Sequence, residues 1–255
     1  MRTPEELRGL FEDCLRSLPR AAEDGLTEPI QYALDGGGKR LRPVLCLAVG
    51  EALGVDPAVL ARAALAVEIV HSFSLVHDDL PALDDDAERR GRPSVHVRFG
   101  EGVAILAGDA LLAKAFQLAG SYEQPGPVRV LAEATLLMIE GQYLDITGAE
   151  VDLLELHRLK SAELFVAAVR SALVIADVED EEAEAWIEFG DRFGRLFQLA
   201  DDLDDGDGAV KLYGEECTRA LAAEQESQAR KALQRVDADT SVVEVLLDEL
   251  AGRAR

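Results

Sequence analysis

The chain has 255 residues, 48% of them hydrophobic and 29% charged, with 49 Asp and Glu against 26 Lys and Arg. That is enough apolar mass for one large domain and excludes a disordered chain. A net charge of −23 excludes a general nucleic-acid binder, which needs a basic footprint, and a protein held to anionic lipid by charge. The residues at the start lack the apolar centre of a signal peptide. No window reaches the roughly 18 apolar residues that a membrane helix needs, so no membrane span is expected. Three cysteines without close spacing, Cys14, Cys46 and Cys217, support neither a disulfide framework nor a CxxC metal site. They fit a reducing cytoplasm.

Taken in chain order, the elements are helical. Thr3-Pro4-Glu5-Glu6 reads as a capping box with proline at the first helical position. Asp56-Pro57 repeats the cap-and-proline signal and opens a run from Ala58 to about His77. Val128 to Tyr143 and Leu153 to Ala176 read as long helices. Trp186, Phe189, Phe193, Phe197 and Ala200 step by three or four along one helical face. All nine prolines lie at or before Pro127. Loop signals are short, the clearest being Gly36-Gly37-Gly38, Gly91-Arg92-Pro93 and Gln124-Pro125-Gly126-Pro127. No alternating stretch is long enough to argue for a sheet. The expectation is a single all-α domain over residues 1–255, a bundle of about ten helices.

Two acidic clusters follow apolar stretches: Asp78, Asp79, Asp84, Asp85 and Asp86, then Asp201, Asp202, Asp204, Asp205 and Asp207. A charge run is ordinarily a solvated face, but these stand where core-facing helices emerge. Carboxylates about 4 Å apart repel by roughly 4 kcal/mol at an effective dielectric near 20. Either several are protonated or cations sit between them. Asp201 and Asp205 share a helix face, with Asp202 beside them. Asp78 and Asp84 are six apart, and Pro81 between them breaks the ladder, which would swing Asp84 back. All-oxygen donors suit Mg²⁺, which takes phosphate oxygens as further ligands. His71, His77, His96 and His157 form no zinc spacing. The implied third party is a polyanion, most simply a diphosphate. Cations are available to meet it: Lys39, Arg40 and Arg42 follow the glycine triplet, Arg89, Arg90 and Arg92 follow the first acidic cluster, and Lys160-Ser161 is a weaker candidate.

These residues in this order resemble the trans-isoprenyl diphosphate synthases of the polyprenyl synthetase family. The strings are Lys39 to Pro43, His71 to Asp86, Arg89-Arg90-Gly91, and Phe197-Gln198 with Asp201-Asp202 and Asp205, backed by Ala107-Gly108-Asp109, Gly141-Gln142 with Asp145, and His157 to Ser161. The resemblance runs from about residue 30 to 207. It implies a helical bundle around a deep cavity, ordinarily a homodimer, that joins isopentenyl diphosphate to an allylic diphosphate. By resemblance, Asp78, Asp79, Asp84, Asp201, Asp202 and Asp205 hold about three Mg²⁺ ions. Lys39, Arg42, His71 and Arg90 bind isopentenyl diphosphate, Arg89 helps hold the allylic diphosphate, and Lys160, Ser161 and Gln198 flank the reacting carbon. Phe73, with Ser74 beside it, lies five residues before Asp78 and is expected to stop the growing tail. That gives farnesyl diphosphate (C15), with geranyl (C10) and geranylgeranyl (C20) as alternatives. A class I terpene cyclase and a non-catalytic partner subunit are the competing readings. The chain departs from the family pattern after Asp205: the longer loop with its gripping lysines is replaced by a short one carrying Lys211. Ala162-Glu163 after Ser161 is a milder departure.

Overall fold

The protein is described here as a computed structural model covering residues 1–18 and 25–255. Among the described residues, thirteen α-helical stretches make up most of the structure. They are α1 (Pro4–Arg16), α2 (Thr27–Leu34), α3 (Leu41–Ala52), α4 (Pro57–Asp78), α5 (Val95–Phe99), α6 (Glu101–Ala119), α7 (Gly126–Thr147), α8 (Leu153–His157), α9 (Glu163–Ile175), α10 (Asp180–Asp205), α11 (Ala209–Tyr213), α12 (Glu215–Leu233) and α13 (Ser241–Arg253). Ten of these are eight residues or longer. The three additional stretches, α5, α8 and α11, are single turns of five residues whose sequences are too short to show a period.

The caps behave as the sequence implies. The Thr3 hydroxyl accepts from the Glu6 N–H while the Glu6 carboxylate accepts from the Thr3 N–H. Asp56 accepts from the Ala58 N–H at 2.9 Å and starts α4 behind Pro57. Helix α4 is apolar nearly all round, as a helix surrounded by others must be, and packs against α3, α6 and α9. By length and mean hydropathy (1.7 for α4, 1.4 for α6) both could cross a membrane. In α4 that apolarity is spent on the bundle centre, where Ala64, Val67, Ile69 and Val70 are sealed from solvent. The aromatic face of α10 is likewise internal: Trp186, Phe189 and Phe193 are fully buried.

One expectation needs correction. Leu153 to Ala176 is not one α-helix. Between α8 and α9, Arg158–Ala162 form a π-turn, an extra residue in the coil of the kind that gathers at functional sites. Beside the helices there is one small pair of strands. Residues Glu88–Arg89 (β1) and Arg92–Pro93 (β2) pair antiparallel around Arg90 and Gly91, which both take positive φ (55° and 73°). This is the geometry of a two-residue hairpin turn, and strands of two residues are too short to show alternation.

Candidate active site

The first acidic cluster ends α4. Asp78 is its last residue and Asp79 its C-cap. The chain then folds back across Pro81: the Asp84 N–H donates to the Asp78 carbonyl at 2.9 Å. The Asp84 carboxylate accepts from Gln142 Nε2 of α7 at 3.2 Å. Burial first, then the charge of Asp84, pushes the Asp78 carboxyl up to about 7. Asp79 points elsewhere. It is buried and accepts from Arg89 Nε at 2.9 Å and from Arg89 Nη2, which also reaches Asp86. Burial still holds its carboxyl above the ordinary value.

Seven residues before Asp78, two turns back on the same face and about 10.5 Å away along the axis, stands His71. Burial and then the guanidinium charges of Arg42, Arg90, Arg40 and Arg89 drive its pKa well below the ordinary value, so the ring is neutral. Arg42, in the first turn of α3, is buried with its Cζ 4.4 Å from the Phe165 ring centroid and 5.3 Å from that of Phe197. Its Nε has no partner among the described residues, and desolvation lowers its pKa to about 10. A buried guanidinium with an orphaned N–H is a site waiting for an anion. Arg90 donates to the Gly37 carbonyl. A Cβ on Gly38 would stand 2.8 Å from Arg90 Nη1, so glycine at 38 makes room for that guanidinium, and its φ of +122° favours glycine as well. Arg40 is engaged structurally. It sits at positive φ and donates from Nε to Glu12 (2.8 Å), from Nη1 to Glu68 (2.7 Å) and from Nη2 to the Leu34 carbonyl (2.9 Å). Lys39 is exposed.

On the other side, the π-turn presents Lys160 and Ser161 side by side. Lys160 pairs with Asp145 of α7. Ser161 Oγ donates to Gln198 Oε1 at 2.6 Å, and Gln198 Nε2 donates to Asp202 Oδ1 at 2.9 Å. The Ala209 N–H donates to Asp202 Oδ2 at 2.8 Å, and His157 Nε2 lies 3.6 Å from the same atom. Buried Asp202 therefore anchors the loop after α10. Asp201 and Asp204 accept from Arg253 of α13. Asp205 is exposed. Lys211 forms an exposed pair with Asp207 at 2.8 Å, one helical turn away, and does not turn inward. Between α4 and α7 lies a cavity of about 320 Å³, lined by Phe73, Ser74, His77, Asp78, Met138, Tyr143 and Lys160 among others. Phe73 meets His77 edge to face, with centroids 4.9 Å apart.

The structure thus brings Arg42, His71 and Arg90 together, and Asp78 with Asp84. Asp79 and Asp202 are tied to protein partners. Repulsion within the clusters is relieved partly by the chain's own arginines, Arg89 and Arg253. Arg253 has no sequence signal, because it lies about fifty residues beyond the cluster it neutralises. His77, which has no zinc spacing in the sequence, walls the cavity.

Comparison with known proteins gives the family. The polyprenyl synthetase family model matches residues 23–247. A geranylgeranyl diphosphate synthase of Cyanophora paradoxa is 37% identical over 216 residues, 78% of this chain and 72% of that protein. A farnesyl diphosphate synthase of Geobacillus stearothermophilus is 40% identical over 204 residues, 74% of this chain and 69% of that protein. Across such relatives the match spans from 58% to 75% of their length. The crystal structure of a geranyltransferase from Legionella pneumophila aligns with a TM-score of 0.86 at 29% identity, over 98% of this chain and 96% of that one. From the motifs, the helical fold and these matches together, the chain belongs to the polyprenyl synthetase family.

Proposed function

We propose that this protein condenses isopentenyl diphosphate with an allylic diphosphate, in the presence of Mg²⁺, to give farnesyl diphosphate and free diphosphate. The observation that carries this reading is the arrangement along one face of α4: at one end burial and several guanidiniums lower His71, and two turns on burial and the facing Asp84 carboxylate raise Asp78. One end suits a diphosphate held by side-chain cations. The other suits a diphosphate that arrives with metal.

The donor set fits that metal. Asp78 and Asp84 offer only oxygen, and their mutual repulsion is what a hard cation relieves. Among the described residues no three Asp, Glu, His or Cys form a ready cage. Mg²⁺ commonly takes one or two carboxylates and completes its shell with phosphate oxygens and water. Asp78, Asp84, Asp201 and Asp205 would hold it. When bound, it draws charge from the allylic diphosphate as the carbon–oxygen bond breaks.

The chain's own residues do the rest. Arg42, with its free Nε–H, and Arg90 grip the second diphosphate, and neutral His71 donates one N–H without adding charge. Lys39 closes over it from the exposed turn. Lys160 and the Ser161–Gln198 pair line the reacting end. Arg89 keeps Asp79 in place beside the allylic diphosphate. Phe73 forms the apolar stop that limits tail length and excludes water, with His77 packed edge to face against it. The Lys39, Arg42, His71 and Arg90 group is what a terpene cyclase does not need. A second copy, covering the apolar residues exposed on α6 and α7, makes the working form a homodimer. The three free thiols support a cytoplasmic setting.

The test is an incubation of purified protein with Mg²⁺, isopentenyl diphosphate and dimethylallyl or geranyl diphosphate, read by chromatography. Linear C15 diphosphate is expected, and Asp78→Ala should lower turnover by about a hundred- to a thousandfold, the range for loss of a main electrostatic stabiliser. Cyclised hydrocarbon would favour the cyclase reading. No product at all would favour a non-catalytic subunit.

A further inference from the structure

The C-terminal helix puts a cation against the second acidic cluster. Arg253, in the last turn of α13, donates from Nη2 to Asp201 Oδ1 and to Asp204 Oδ2. Its Cζ lies 5.7 Å from the Phe197 ring centroid. Its Nη1 is buried and has no partner among the described residues. The helix that carries it is tied down: Arg219 donates to the Ala254 carbonyl at 3.1 Å, and Arg230 donates to Asp248. Arg253 is therefore a placed group rather than a loose surface arginine. It also borders a cavity of about 370 Å³ shared with Arg8, Lys39 and Glu249, so the same side chain touches the acidic cluster and the space beside Lys39. Lys211 cannot take this part, being turned outward to Asp207.

A guanidinium on Asp201 uses the oxygen that a divalent ion would use. We infer that Arg253 is a built-in competitor for the second acidic cluster: it neutralises Asp201 and Asp204 until a divalent ion arriving with a diphosphate displaces it, and the freed guanidinium then binds diphosphate oxygens beside Lys39. The inference rests on the reading of Asp201 as a metal ligand given above. It makes Arg253 a positioning residue that resists metal without diphosphate and a binding residue once diphosphate is present.

The two roles have opposite signs, which a purely structural role would not reproduce. The full chain is titrated with Mn²⁺, with free ion followed by electron paramagnetic resonance, alone and with inorganic diphosphate. Arg253→Gln should bind Mn²⁺ alone about tenfold more tightly, the size expected when one charge-assisted hydrogen bond stops competing. The strengthening of Mn²⁺ binding by diphosphate should shrink by a similar factor. Adding Asp201→Asn should remove the first gain. Unchanged or weaker Mn²⁺ binding in Arg253→Gln, or an unchanged diphosphate effect, overturns the inference. If Arg253→Gln fails to fold, Arg253→Lys keeps the charge and loses the fork, so it should fall between the two, and wild-type behaviour on both measures overturns the inference as well. If the wild-type chain transfers prenyl groups while these outcomes fail, only the role of Arg253 falls. If it neither transfers them nor takes up Mn²⁺ with diphosphate, the metal reading falls too.

Discussion

His71 stays neutral, without a second ring proton, in the folded protein because burial and surrounding arginines oppose the charge. In the unfolded chain it titrates normally, near 6.5. Below that pH the unfolded state binds the extra proton and the folded state does not, so stability falls as pH falls through about 6.5. Urea midpoints at pH 7 and pH 5 should show the loss, and His71→Gln should flatten part of it. Diphosphate should flatten it too, since an anion beside the ring restores its proton affinity. An identical slope in the variant would place the pH sensitivity elsewhere. Phe73 is a second single-residue case. It is buried at the wall of the α4–α7 cavity, so Phe73→Ala opens space there and should shift products toward chain lengths above C15. An unchanged product distribution would assign Phe73 to ordinary packing. Both residues were legible in sequence as positions. Their environments were not, because the arginines around His71 come from α3 and the hairpin, far away in the chain.

At the scale of elements, the sequence shows plainly those helices whose signals are local. The Thr3 and Asp56 caps, the prolines behind them and the stride of Trp186, Phe189 and Phe193 belong to this group. The break after His157 is different. Arg158 to Ala162 contain no proline or glycine to announce it, and α10 supplies its counterpart. A Cβ on Gly194 would stand 2.6 Å from the Ala162 Cα, so α10 approaches the turn closely enough to demand glycine. Gly194→Ala must push on backbone rather than on a flexible side chain. It should cost about 1–3 kcal/mol, the usual size for overpacking, read as a lower urea midpoint at unchanged slope. Turnover should fall as well, since Lys160 and Ser161 ride on the displaced turn. The small hairpin escaped notice for a related reason: its signal is one pair of positive-φ residues, Arg90 and Gly91, and arginine is an uncommon choice there.

For the molecule as a whole, charge and apolar surface pull in different directions. A net charge of −23 repels diphosphates at long range. Attraction therefore has to come from the buried cations of the pocket, where screening by salt is weak. Helices α6 and α7 also leave Leu106 and Leu136 exposed, at 58% and 68%, together with Ile105, Ile139 and Tyr143. Stable interfaces remove about 1,200–2,000 Å² from water, and a second copy over this face would also cover Ile139 and Tyr143 on the outer side of the cavity. Leu106→Glu combined with Leu136→Glu should convert a dimer to a monomer by sedimentation velocity, with a fall in activity. A wild-type chain that sediments as a monomer would remove this expectation. Composition alone reveals neither the pocket nor this face, since both depend on which side of each helix ends up inward.

The turn at Arg158–Ala162 has one more implication. A regular coil advances about 100° per residue, and the wide turn takes up a surplus member without passing that rotation on to α9. Loss of a single codon at that point would let the turn close to a regular coil with Phe165, Val169 and Leu173 still facing their neighbours. The same three-base deletion further along α9 would rotate everything after it, so this short stretch is where the helix can lose a residue and keep its packing, with the change confined to how Lys160 and Ser161 are presented.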